Sequence, residues 1–230
     1  MFFLNPTYLL FMAPAFLIMA LTSWYVKSSY TKWSRVPAGS RFSGYEAAQR
    51  LIRSSGLYGV QIQGTSGQLS DHYDPRNNTL FLSRDVANGS SVASLAIAAH
   101  ELGHAQQDAE DYFPLRFRAA LVPMVNIGSY LGWILIMIGL FLQLTQIAWL
   151  GVLVFSGGAV FALATLPVEF DASARAKRML ADSGIIQTED EMRGVRTVLN
   201  AAALTYVAAL ITAVLQLLYY VMLIGGRRRN

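Results

Sequence analysis

Four long apolar stretches dominate the chain, over roughly residues 8–25, 119–142, 147–166 and 201–224. Each is close to the ~20 residues a helix needs to cross about 30 Å of hydrocarbon, so the pattern predicts four transmembrane helices. The first has no basic leading region and no small-x-small cleavage site, and reads as a retained anchor rather than a signal peptide. Between the spans the period changes. Ser43 and Glu46 form a capping box ahead of Ala47, Ala48, Leu51 and Ile52, which predicts an amphipathic helix ending near Gly56. Leu57–Ile62 and Thr79–Ser83 read as short strands around a turn-rich stretch from Gly64 to Asn78. Asn88-Gly89-Ser90-Ser91 then caps a helix over about Val92–Asp108, which stops before Pro114. A further helix is expected over 167–184, opened by Pro167. The fold class is therefore mainly α: a polytopic membrane protein with about four transmembrane helices and a small α+β segment over 43–113, all within a single membrane-embedded domain spanning 1–230.

Composition agrees with that partition. The 230 residues are 54% hydrophobic and 14% charged, too apolar for an ordinary soluble domain. Ten Lys or Arg lie between the first and second spans, from Lys27 to Arg118, and five between the third and fourth, from Arg175 to Arg196. The positive-inside rule puts both segments in the cytoplasm of a multi-pass plasma-membrane protein, of bacterial type, with the amino terminus outside. Four crossings would leave Arg227, Arg228 and Arg229 outside, where they read as a lipid-headgroup anchor. The net charge of +4 is thus explained by membrane orientation, and no nucleic-acid motif accompanies it. Gly128 with Gly132, and Gly157 with Gly158, are candidate close-packing surfaces between spans. Trp24, Trp133 and Trp149 read as interfacial anchors or packing residues.

The candidate chemistry sits in the capped helix. His100-Glu101-Leu102-Gly103-His104 is an H-E-x-x-H, and on a helix its two imidazoles share one face while the glutamate lies beside them. This arrangement fits one Zn2+ per chain, with Glu101 as the general base toward water. The absence of cysteine restricts zinc ligands to imidazole, carboxylate and water. A third protein ligand is required. The extended motif H-E-x-x-H-x-x-G-x-x-H fails, since Gln107 and Glu110 hold its last two marked positions. Glu169 is the candidate, because the hairpin of the two central spans returns Pro167-Val168-Glu169-Phe170-Asp171 to the level of the histidine helix. Asp171 lies about 200° away around the helix. It is therefore expected to pair with Arg175 or to orient a ligand histidine from behind.

Ala99–Ala105, Leu69-Ser70-Asp71-His72-Tyr73-Asp74-Pro75 and Leu166–Ser173 together resemble the YugP-type family of bacterial membrane zinc metallopeptidases, over nearly the whole chain. The resemblance implies a zinc-dependent endopeptidase with a zincin-like (gluzincin-like) domain, metal ligands His100, His104 and Glu169, and Glu101 as base. It also implies kinship with HtpX-like membrane proteases, in which an aspartate follows the ligand glutamate by four residues. Ser173 stands there in this chain, which makes Asp171 the substitute for holding a ligand histidine.

His72 is a candidate oxyanion donor oriented by Asp71 or Asp74, or else a fold-stabilising turn histidine; Tyr73 is a lesser oxyanion candidate. Asn78–Ser83 is expected to be an edge strand that binds extended substrate. Expected partners are a peptide or protein substrate and the lipid bilayer, with a second copy of the chain or a regulatory membrane partner left open. Two other readings stand beside the surface protease. One is an intramembrane site-2-type protease, although the polar residues around the H-E-x-x-H helix leave too short an apolar run to span. The other is a non-catalytic scaffold or adaptor stabilised by zinc.

Overall fold

The computed structural model describes residues 6–226, so Arg227, Arg228 and Arg229 lie outside the described residues. The chain is mainly helical. Its elements are α1 (Pro6–Trp33), α2 (Gly44–Ser54), β1 (Gln61–Thr65), β2 (His72–Asp74), β3 (Thr79–Ser83), α3 (Arg84–Asn88), α4 (Val92–Ala109), α5 (Phe113–Phe141), α6 (Thr145–Phe155), α7 (Gly157–Asp182) and α8 (Glu189–Gly226). Four helical segments are long and apolar enough to cross a membrane: α1, α5, the α6–α7 run over Thr145–Asp182, and α8. The chain divides into two compact units. One holds Arg116–Leu166 with the segments up to Thr22 and from Thr205; the other holds Ser23–Leu115 and Pro167–Leu204.

In the first unit the apolar cluster is Ile136, Leu140, Ala148, Val152, Tyr219, Tyr220 and Ile224. Glycines let α5 and α6 touch backbone to backbone. A Cβ on Gly139 would stand 2.4 Å from the Ala148 nitrogen, and one on Gly132 would stand 2.7 Å from the Phe155 nitrogen. Gly128 also faces Val154, so the Gly128/Gly132 surface packs this hairpin. Gly157 and Gly158 do not form a close approach: the first has no atom within 4 Å and the second only Ser129 Oγ at 4.0 Å.

The second unit carries the small sheet. Its order is β1-β3-β2, with β1 parallel and β2 antiparallel to β3. Leu80 and Leu82 of β3 are fully buried, as befits a central strand covered by helices. This corrects the expectation that Asn78–Ser83 is an edge, since β3 is bonded on both sides and the outer strands are β1 and β2. The first expected strand is also displaced. Leu57 N donates to Ile52 O and Val60 N to Leu57 O, so the chain turns after Gly56 (φ +71°) and extends only from Gln61. β2 lies inside the stretch expected to be turns.

The helix starts follow their local chemistry. Ser43 Oγ accepts from Glu46 N while Ser43 N donates to Glu46 Oε2 at 2.8 Å, completing the capping box of α2. Ser91 Oγ accepts from Ser94 N at 3.1 Å and opens α4. Pro167 does not open a helix, because α7 runs through it from Gly157. A proline breaks helices in water by removing a donor, but the apolar segment ahead of it sustains the helix here, as membrane helices permit. Ser156, between α6 and α7, keeps right-handed helical angles (φ −61°, ψ −19°), so the helix expected over 167–184 is the end of the third span itself.

The α5–α6 contact predicts that Gly139→Val costs about 1–3 kcal/mol through overpacking. Thermal denaturation of the purified protein in detergent is expected to show a lower Tm than the wild type.

Candidate metal centre

α4 buries one side through small residues, Ala96, Ala98, Ala99, Gly103 and Ala105, together with Leu95 and Leu102. That side lies against α7 at backbone distance: a Cβ on Gly103 would stand 2.4 Å from the Ala172 carbonyl oxygen. The close approach lets a glutamate one turn before Ala172 reach the histidines of α4.

Three side chains converge there. His100 Nε2 lies 3.3 Å and His104 Nε2 3.6 Å from Glu169 Oε2, and the three donor atoms all lie within 4.8 Å of one another. Both histidine side chains are 13% exposed and the Glu169 side chain 3%, so the group opens toward solvent on the imidazole side. The imidazoles stand edge to face, with centroids 4.9 Å apart at 80°. Donor atoms held tetrahedrally by zinc at about 2.0–2.1 Å stand roughly 3.3–3.4 Å from each other. The spacing to Glu169, and the all-imidazole-and-carboxylate donor set, therefore fit such an ion.

The remaining histidine nitrogens are engaged behind the cluster. His104 Nδ1 lies 3.0 Å from Gln107 Oε1, and His100 Nδ1 lies 3.3 Å from Ser173 Oγ. With Nδ1 donating in each case, the Nε2 lone pairs face Glu169, the tautomer a metal ligand needs. Ser173 thus meets His100 directly from the position four residues after Glu169. Asp171 touches neither histidine; its Oδ2 accepts from Gln107 Nε2 at 2.9 Å and from Arg175 Nε at 2.5 Å. The pairing of Asp171 with Arg175 follows from their four-residue spacing. Gln107 is the residue that motif reading passed over, since it appears there only as a departure from the extended zinc motif. Its three-residue spacing from His104 on a helix was the signal that could have found it.

Glu101 lies in the same helix turn. Burial raises its carboxyl pKa, the two imidazoles pull it down, and the Glu169 and Asp71 carboxylates push it up; the net shift is upward. Burial favours a neutral His104, but hydrogen bonding to Glu169 and the charges of Glu101 and Glu169 outweigh it, so its pKa is raised as well. A carboxyl whose proton affinity is raised is suited to take a proton and return it.

The segment around His72 makes contacts within the sheet and its flanking turn. Asp71 accepts from Ser83 N at 2.7 Å and from Ser83 Oγ at 3.0 Å, pinning β2 to the end of β3. Asp74 accepts from Arg76 N and Asn77 Nδ2 in the following turn. Neither orients His72. The exposed His72 instead places Nδ1 2.9 Å from Ser70 O and stacks on Phe81, with centroids 4.8 Å apart at 12°. Tyr73 Oη lies 2.9 Å from both Asp108 Oδ2 and Asn78 Oδ1, which fastens β2 to α4. Burial and the Asp108 contact raise the Tyr73 pKa, so the phenol stays protonated and donates.

Residues 8–225 match the family described as "Putative neutral zinc metallopeptidase". The chain belongs to this family. It is also 42% identical over 206 residues to "Putative membrane protease YugP" of Bacillus subtilis (strain 168), a match covering 89% of this chain and 91% of the relative. No solved structure matches the chain. Membership in a zinc metallopeptidase family and the convergence of His100, His104 and Glu169 are independent observations that point to one metal.

The Gly103–Ala172 contact carries its own test. Gly103→Ala must separate α4 from α7 by moving backbone against backbone. Zinc per chain in the purified variant, measured by elemental analysis, is expected to fall well below the wild-type value, together with Tm.

Proposed function

We propose that the protein is a membrane-bound zinc-dependent endopeptidase that hydrolyses peptide bonds at the cytoplasmic membrane face. The observation that carries this reading is the convergence of His100 Nε2, His104 Nε2 and Glu169 Oε2 within 4.8 Å of one another, a donor set that fits zinc. These three residues would hold the ion. When bound, zinc supplies a Lewis acid that acidifies water and polarises a carbonyl. Glu101 takes the proton from the attacking water and delivers it to the leaving amine, so no covalent acyl-enzyme is required. Ser173 and Gln107 would hold the Nδ1 proton of each ligand imidazole and leave Nε2 free for the ion. Three protein donors among the described residues would leave room for water or substrate on a bound ion, which favours an enzyme over a closed structural zinc site.

The short outer strand β2 supports a peptide substrate, because no further strand pairs with it among the described residues and Tyr73 ties it to α4. An extended peptide can add to such an edge through its backbone. His72, exposed on β2, then belongs to the substrate side of the sheet, and its oxyanion role is secondary to that placement. The cytoplasmic face follows from the fifteen cations in the two segments described above. A membrane-surface site is favoured over an intramembrane one because α4 is not among the four segments apolar enough to span.

In detergent-purified protein, Glu101→Gln is expected to retain zinc and lose about 10²–10⁴-fold in peptide cleavage. Full activity of that variant overturns the mechanism. Glu169→Ala is expected to lower zinc content, and unchanged stoichiometry would reject the carboxylate as a ligand.

A further inference from the structure

Gln107 is completely buried, and each polar atom of its amide has a partner. Its nitrogen donates to Val168 O at 2.8 Å and to Asp171 Oδ2 at 2.9 Å, both on α7. Its oxygen faces His104 Nδ1 at 3.0 Å. We propose that Gln107 is the positioning residue of the metal centre: it holds His104 in the Nδ1–H tautomer and in the ring orientation that aims Nε2 at the cluster. This rests on the zinc reading above.

The amide can point only one way. Turned over, it would set its NH2 against the Nδ1–H of His104 and its oxygen against a carbonyl and a carboxylate, replacing three attractive contacts with repulsive ones. The carboxylate that enforces this direction is itself fixed. Asp171 Oδ2 also accepts from Arg175 Nε, and Arg175 Nη1 donates to Glu110 Oε2 at 2.6 Å. Arg175 further lies over the Tyr112 ring, 5.6 Å from its centroid. A continuous path thus runs from Glu110 through Arg175, Asp171 and Gln107 to His104, starting at the C-cap of α4, crossing to α7 and returning to α4.

This path assigns a use to both departures from the extended zinc motif. Gln107 stands where that motif has glycine and Glu110 where it has histidine. The first supports a ligand from behind, and the second anchors the arginine that steadies the support. A neutral amide between Asp171 and His104 has a chemical consequence of its own. It orients the imidazole without drawing its Nδ1 proton toward a carboxylate, so the proton stays on Nδ1 and Nε2 is left free.

The test measures zinc affinity on the full-length protein in detergent, stripped with a chelator and titrated back with zinc against a competing chelator. Gln107→Met keeps the volume and removes the acceptor; a loss of about 10–100-fold in affinity is expected. Gln107→Asn keeps the amide but is one methylene too short to span from Asp171 to His104. It is expected to lose affinity similarly, and it carries the test if the methionine variant does not fold. Gln107→Glu keeps an oxygen acceptor for His104 but sets its second oxygen against Val168 O and Asp171 Oδ2, and is expected to bind zinc more weakly than the wild type. Glu46→Ala removes the capping box of α2 and none of the contacts at the centre, and is expected to lower Tm while binding zinc within about two-fold of the wild type. Wild-type affinity in the Met or Asn variant overturns the positioning role. So does an equal loss in Glu46→Ala, because zinc affinity would then report only the stability of the fold. A wild-type protein that takes up no zinc overturns the proposed function itself, a result separate from either of these.

Discussion

The centre depends on one contact between helix backbones. Where α4 passes α7, the Gly103 position allows the Ala172 carbonyl to approach as no side chain could, and every other distance at the site follows. Glu169 can stand 3.3 and 3.6 Å from two imidazoles on another helix only because the helix axes are this close. Small residues along α4 extend the same contact away from the glycine. The site is thus a property of the interface between two helices, and neither helix could form it alone.

That interface buries polar groups, and it tolerates them because each is answered. The Gln107 amide satisfies a backbone carbonyl of α7, a carboxylate and an imidazole at once. A buried amide left half-satisfied would cost about 1–3 kcal/mol, so the network discriminates against any other register of α4 on α7. Glu191 solves a similar problem elsewhere in this unit. Its carboxylate accepts from the backbone nitrogens of Gly39, Gln187 and Thr188, closing the start of α8 onto the chain that follows α1. In both places a single side chain gathers donors from segments far apart in sequence.

Much of this was legible in the residue order. Hydropathy marked the spans because a bilayer imposes a length on apolar runs, and the Ser43/Glu46 and Ser91 caps marked helix starts because their hydrogen bonds are local. The His100-Glu101-x-x-His104 spacing exposed two donors for the same reason, and the hairpin argument reached Glu169. What could not be read depends on partners distant in the chain. β2 was hidden because three residues paired to a neighbour leave no alternation to detect, and the same pairing put β3 in the middle of the sheet. Pro167 read as a helix start because the apolar run ahead of it read as a separate span, whereas the two are one helix. The partner of His104 was obscured by a motif that expects glycine at that position.

The continuity of α7 gives the centre a fixed measure. Glu169 sits on the same helix as Arg175, and at 1.5 Å per residue the two are about 9 Å apart along its axis. A loop between them could have stretched or slackened; a helix transmits length. The carboxylate and the arginine that steadies Asp171 are therefore carried on one rod, and a displacement of either is felt by the other.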